Sequence, residues 1–93
     1  MKSRKAKDII SVLEKKGFRL ENKHHKYFVL YIDDIAQDVK TRISHGIKEY
    51  GTELMQLLKK QLKFTHYEDA ESFFNCPMDY QEYVQLLKNQ GNI

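Results

Sequence analysis

Near the start of the chain apolar residues recur at helical spacing: Ala6, Ile9, Ile10 and Leu13 fall at i, i+3, i+4 and i+7, with Phe18 beyond them. Ser3 is placed to cap this helix and Gly17 to end it in the left-handed conformation, which predicts a helix of about 12 residues. From Phe18 to Ile43 the pattern changes to β-branched and aromatic alternation, predicting strands over Phe18–Glu21, Lys26–Ile32 and Val39–Ile43. Asp33 and Asp34 suit the turn between the last two, because Asp tolerates left-handed backbone. The middle strand shows Phe28, Leu30 and Ile32 on one face and Tyr27, Val29 and Tyr31 on the other, and both sets are apolar enough to face a core.

Helical spacing returns in "KEYGTELMQLLKKQL", with Leu54, Met55, Leu58 and Leu62 on one side. Two capping boxes follow, Thr65 with Glu68 and Asp79 with Glu82, each suited to starting a short helix, and Cys76 and Pro77 separate them. The pattern therefore predicts an α+β fold. Residues 1–64 form an α-β-β-β-α core with a three-stranded antiparallel sheet and helices on one face, and residues 65–93 form a helical extension packed on that core.

Charge adds a polarity that the hydrophobic pattern does not show. The net charge is +3, yet residues 1–64 hold 15 Lys and Arg against 8 Asp and Glu, a charge of +7, and residues 65–93 hold 1 against 5, a charge of −4. A basic body suits a phosphate polymer, because lysines at phosphates release condensed counterions; scattered lysines also simply solubilise a small domain. The 93 residues bound the chain to one small domain without a large enclosed cavity, so any chemistry sits on an open face. A lone Cys76 forms no internal disulfide and reads as packing. With no apolar leader and no long apolar run, the chain is expected to be soluble and cytoplasmic.

The chemistry-bearing stretch is "NKHHKYF", residues 22 to 28, where His24 and His25 sit between Lys23 and Lys26 at a strand entrance. RNA carries its own nucleophile, the 2′-hydroxyl. Its cleavage needs one group to take that proton, one to protonate the leaving 5′-oxygen, and positive charge at the phosphate. Histidine fills either proton role near neutral pH. Successive strand residues point to opposite faces, so only one of the two histidines can serve a given phosphate. His45, in "ISHG", closes the third strand and can approach the second as a helper, or it is a turn residue contacting solvent. Lys2, Arg4, Lys5 and Lys7 crowd the start of the first helix against its dipole, a conflict that an external anion would resolve. Tyr27, Tyr31 and Tyr50 either stack on bases or pack in the core. His24, His25, His45 and His66 lack an H-x-x-x-H spacing or a nearby Cys partner, so no metal or other cofactor is expected.

Taken in order, "LEKKGF", "HHKY", "ISH" and "KEYGTELMQLLKKQLKFT" resemble the HicA toxin family over residues 3 to 74. The resemblance implies a double-stranded-RNA-binding-domain-like fold and a ribonuclease that cleaves messenger RNA without a required metal. It also implies a HicB-like antitoxin partner. The family's catalytic histidine directly follows a Gly-Ser or Gly-Gly turn and falls on His24. Independently of the resemblance, Lys23 and Lys26 are placed to steady the phosphate, and Arg4 and Lys5, at the start of the first helix, are expected as further RNA contacts. Asn22 and Lys23 stand where that glycine and serine would be. Two alternatives stay open beside the enzyme. One is a noncatalytic RNA-binding module of the same fold. The other is a protein-interaction module whose acidic tail docks on a basic partner or on its own basic face.

Overall fold

A computed structural model of the chain describes residues 1–22, 25–44, 46–75 and 77–93. Its elements are β1 (Arg4–Lys5), α1 (Ala6–Lys15), β2 (Phe18–Asn22), β3 (Lys26–Ile32), β4 (Ile35–Ile43), β5 (Glu49–Tyr50), α2 (Thr52–Gln61), α3 (Tyr67–Phe74) and α4 (Tyr80–Asn89). Strands β2, β3 and β4 form a three-stranded antiparallel meander in that order, and helices flank it. The fold is the expected α+β arrangement, with one addition. Arg4 and Lys5 pair antiparallel with Tyr50 and Glu49 in a two-residue ribbon.

That ribbon changes how α1 begins. Ser3 does not cap it; the N-cap is Lys5, whose side chain makes no capping bond, and the Ala6 N–H donates instead to the Lys48 carbonyl at 2.8 Å. Arg4 and Lys5 therefore precede the helix rather than crowding its first turn, where Asp8 complements the dipole. At the other end Gly17 takes φ +86°, as its place after the helix requires.

The Asp33–Asp34 turn has both residues at positive φ, 53° and 64°, the condition for a two-residue hairpin loop that matches strand twist. β4 starts earlier than its alternation suggests. Val29 pairs with Lys40 but Tyr31 with Ala36, so a bulge on β4 interrupts the period of two, and only the stretch after it, Val39, Thr41 and Ile43, alternates cleanly inward. Phe28 and Leu30 of β3 face the core, which leaves Tyr27, Val29 and Tyr31 on the opposite face.

The extension completes the same core. Phe73 and Tyr83 are fully buried, their rings 4.8 Å apart, and both stack near Phe64 at 5.3 Å and Phe18 at about 6 Å. The Tyr83 hydroxyl donates to the Leu62 carbonyl at 2.8 Å, and burial pushes its pKa above the ordinary phenol value. Lys16, buried, donates its ammonium to the Met78 carbonyl and lies 5.5 Å from the Phe73 ring. Asp79 and Glu82 form the predicted capping box at α4, at 2.8 and 3.1 Å. The other box does not form: α3 is capped at His66 without a side-chain bond, and Thr65 donates to Gln90 at 3.3 Å. No described helix is long and apolar enough to cross a membrane.

Candidate nucleic-acid interface

His24, His45 and Lys23, three of the predicted site residues, lie outside the described residues, as does Cys76. The residues that flank them are placed. Lys26 opens β3 opposite Asn22 of β2 and Ile43 of β4, so these three form one row across the end of the sheet. Next to that row the Ser44 N–H donates to the Tyr50 hydroxyl at 3.1 Å, which fixes how the chain leaves β4 and makes Tyr50, 3 % exposed, a core residue rather than a stacking surface.

His25 is exposed, and its ring stands edge-on to Tyr27 with centroids 6.5 Å apart. It thus shares the open face of the sheet. That face carries Tyr27 and Tyr31, both half-buried, with cations set against the rings: Arg19 lies 4.4 Å from the Tyr31 centroid and Lys40 5.5 Å from that of Tyr27. Arg42 sits opposite Tyr27 in the ladder. Carboxylates temper the charge. Glu21 accepts from the Tyr31 hydroxyl at 3.0 Å, a bond that, with partial desolvation and the Glu21 charge, holds that phenol above its ordinary pKa. Asp34 pairs with Arg19 at 2.5 Å. Beside the bulge a depression of about 320 Å³ opens between Glu21, Tyr27, Val29, Asp38 and Lys40. The arrangement offers flat aromatic surface beside guanidinium and ammonium groups, the combination that holds unpaired bases and their phosphates.

The hydrophobic pattern points to Tyr27 and Tyr31 but not directly to Lys40, Arg42 or Arg19. For Lys40 and Arg42 the chain does carry a signal. Once Val39, Thr41 and Ile43 are assigned inward, Lys40 and Arg42 must point the other way.

The two N-terminal cations part company. Lys5 is exposed and lies with Lys7 and Lys48 around a depression of about 440 Å³ that Ala6, Ile47 and the carboxylate-bearing Glu49 also line. Arg4 is turned inward: its guanidinium meets Glu71 at 2.6 Å, donates to Asn75 at 3.0 Å and to the Lys2 carbonyl at 3.2 Å, and lies 5.2 Å from the Phe74 ring. With all of these donors engaged by α3 and the chain's own backbone, Arg4 holds the extension to the core rather than facing a phosphate. Burial alone would raise the Glu71 pKa. The bonds from Arg4 and the Lys2 N–H, with the Arg4 charge, outweigh it and keep the carboxyl below its ordinary value.

Among the described residues no group of three His, Cys, Asp or Glu side chains converges as a metal site would. No family model, curated protein or solved structure matches the chain.

Proposed function

We propose that the chain is a metal-independent endoribonuclease of the HicA toxin type, acting on messenger RNA in the cytoplasm and held in check by a HicB-like antitoxin. His24 serves as general acid or base, His45 as its helper, and Lys23 and Lys26 steady the phosphate. The 2′-oxygen attacks phosphorus as its proton passes to one imidazole; the bond to the 5′-oxygen breaks as the second imidazole, or water, returns a proton to it. The products are a 2′,3′-cyclic phosphate and a 5′-hydroxyl, so atoms and charge balance without a metal.

One observation supports this reading above others. Asn22, Lys26 and Ile43 lie in a single row, so the segments bearing the two histidines leave the sheet at the same end. The open face with Tyr27, Tyr31, Arg19 and Lys40 favours a second reading, an RNA-binding module without catalysis.

Cleavage of a labelled RNA in the presence of a chelator separates them. His24→Ala is expected to slow cleavage on the order of 100 to 10,000-fold while leaving RNA affinity nearly unchanged, because a proton carrier acts mainly in the transition state. His25→Ala, beside Tyr27, is expected to affect affinity more than rate. Full cleavage by His24→Ala overturns the assignment. Wild-type protein that binds RNA and never cuts it leaves the binding module.

A further inference from the structure

A groove of about 580 Å³ runs between the end of α2 and the end of α4. Lys59, Lys60 and Lys63 line one side and Gln90 and Asn92 the other, and every remaining lining residue is neutral. The extension carries Glu68, Asp69, Glu71, Asp79 and Glu82, yet none of them lines this groove. No described carboxylate pairs with any of the three lysines.

Two features fix the backbone turn from which Lys63 projects. After α2 the Lys63 N–H donates to the Lys60 carbonyl at 3.1 Å and the Phe64 N–H to the Lys59 carbonyl at 3.0 Å, a closure that puts Lys63 at φ +69°. Glycine normally takes that position, because a side chain there is strained. The amide of Gln90, from the end of α4, then donates to the Lys63 carbonyl at 2.8 Å and accepts from Thr65, clamping the turn from outside the helix. Favourable interaction with the helix dipole accounts for Lys59 and Lys60 in the last turn. It does not account for a third lysine beyond the helix, in a glycine conformation, facing the same groove.

We propose that this groove is a phosphate-binding subsite for the backbone of the RNA, separate from the strand-end row. The inference rests on the RNA reading above and adds where the strand continues. Gln61, within the same helix end, accepts a hydrogen bond from Thr41 of β4, two positions before Ile43, so the groove's helix rests on the strand that carries the row. An RNA reaching from that row onto α2 meets three unneutralised ammonium groups.

The test is the salt dependence of binding, read by anisotropy of a labelled single-stranded RNA in a chelator. The full chain is compared with Lys59→Gln/Lys60→Gln/Lys63→Gln and with a control of equal charge, Lys2→Gln/Lys15→Gln/Lys88→Gln, at exposed positions outside the groove. Three lost phosphate contacts are expected to flatten the plot of log affinity against log salt by about 2, at ~0.7 per contact on a single strand; the control is expected to change it far less. Equal changes in both variants, or none in the first, overturn the subsite. Lys63→Gly gives an independent check on folding. It relieves the left-handed side chain, so the melting temperature is expected to rise while RNA affinity falls; a rise without weaker binding makes Lys63 merely structural and overturns its role. RNA binding without cleavage removes the enzyme and leaves the subsite, an unchanged salt slope removes the subsite alone, and no RNA binding at all removes both.

Discussion

At Gly17 the chain leaves α1 with φ +86°, and the ring of Tyr80 fills the space a side chain would need: a Cβ there would lie 2.3 Å from one ring carbon and 2.7 Å from the next. The ring does not swing away freely, because its hydroxyl donates to the Tyr31 carbonyl at 3.0 Å. Gly17→Ala therefore combines backbone strain with a clash and is expected to destabilise by about 2–4 kcal/mol in urea unfolding. Tyr80→Ala should relieve part of it, so that the double variant is about 1 kcal/mol more stable than the two single losses added together. Strict additivity would mean that the ring is not what excludes the side chain. Half of this was legible in sequence. A glycine after an apolar helical run announces a left-handed helix end, whereas nothing local announces that a tyrosine from the far end of the chain will sit on it. The site residues divide in the same way. Lys5 is exposed, whereas Arg4, next to it, turns onto Glu71, a partner that no spacing rule reaches.

The elements follow from period where burial is one-sided and escape it elsewhere. α1 and α2 bury Ile9, Val12 and Leu13, and Met55 and Leu58, as helical spacing requires. β1 and β5 give no such signal, since two-residue strands carry no period, and the first part of β4 is exposed and bulged, so its alternation is lost. The ribbon matters because it carries Arg4 to α3. Glu71, its partner, holds its proton less tightly when folded than unfolded, so the pair's contribution is whole above the ordinary carboxyl value of 4.5 and is lost as pH falls through the lower folded value. Glu71→Gln is expected to lower stability at neutral pH by about 1 kcal/mol and to flatten the decline of stability below pH 4.5. Parallel pH profiles for variant and wild type would show that the Arg4 pair does not couple the ribbon to α3.

For the whole molecule the division of charge and the division of packing do not coincide. The chain is basic to residue 64 and acidic beyond it, yet Phe73 and Tyr83 lie at the centre of one apolar cluster with Phe18 and Phe64. The radius of gyration, 12.3 Å, equals the roughly 12.3 Å expected of a compact chain of this length, which a trailing arm would exceed. Apolar contact thus seats the acidic extension, with the Arg4 pair as a small addition. Fully burying a large apolar side chain stabilises by about 1.5–3 kcal/mol. Phe73, Phe74, Tyr83 and Leu87 together therefore contribute an amount comparable with the whole stability of a small domain, about 5–15 kcal/mol. A chain ending at Phe64 is expected to lose its cooperative thermal transition and to bind a hydrophobic dye, because Phe18 and Phe64 lose the rings that cover them. Phe73→Ala in the full chain should cost about 3–5 kcal/mol and leave the transition cooperative but lower. A truncated chain that melts sharply near the full-length temperature would mean that residues 1–64 carry a sufficient core by themselves. Tests of RNA binding could then use that shorter chain, without the Gln90 clamp on the lysine groove.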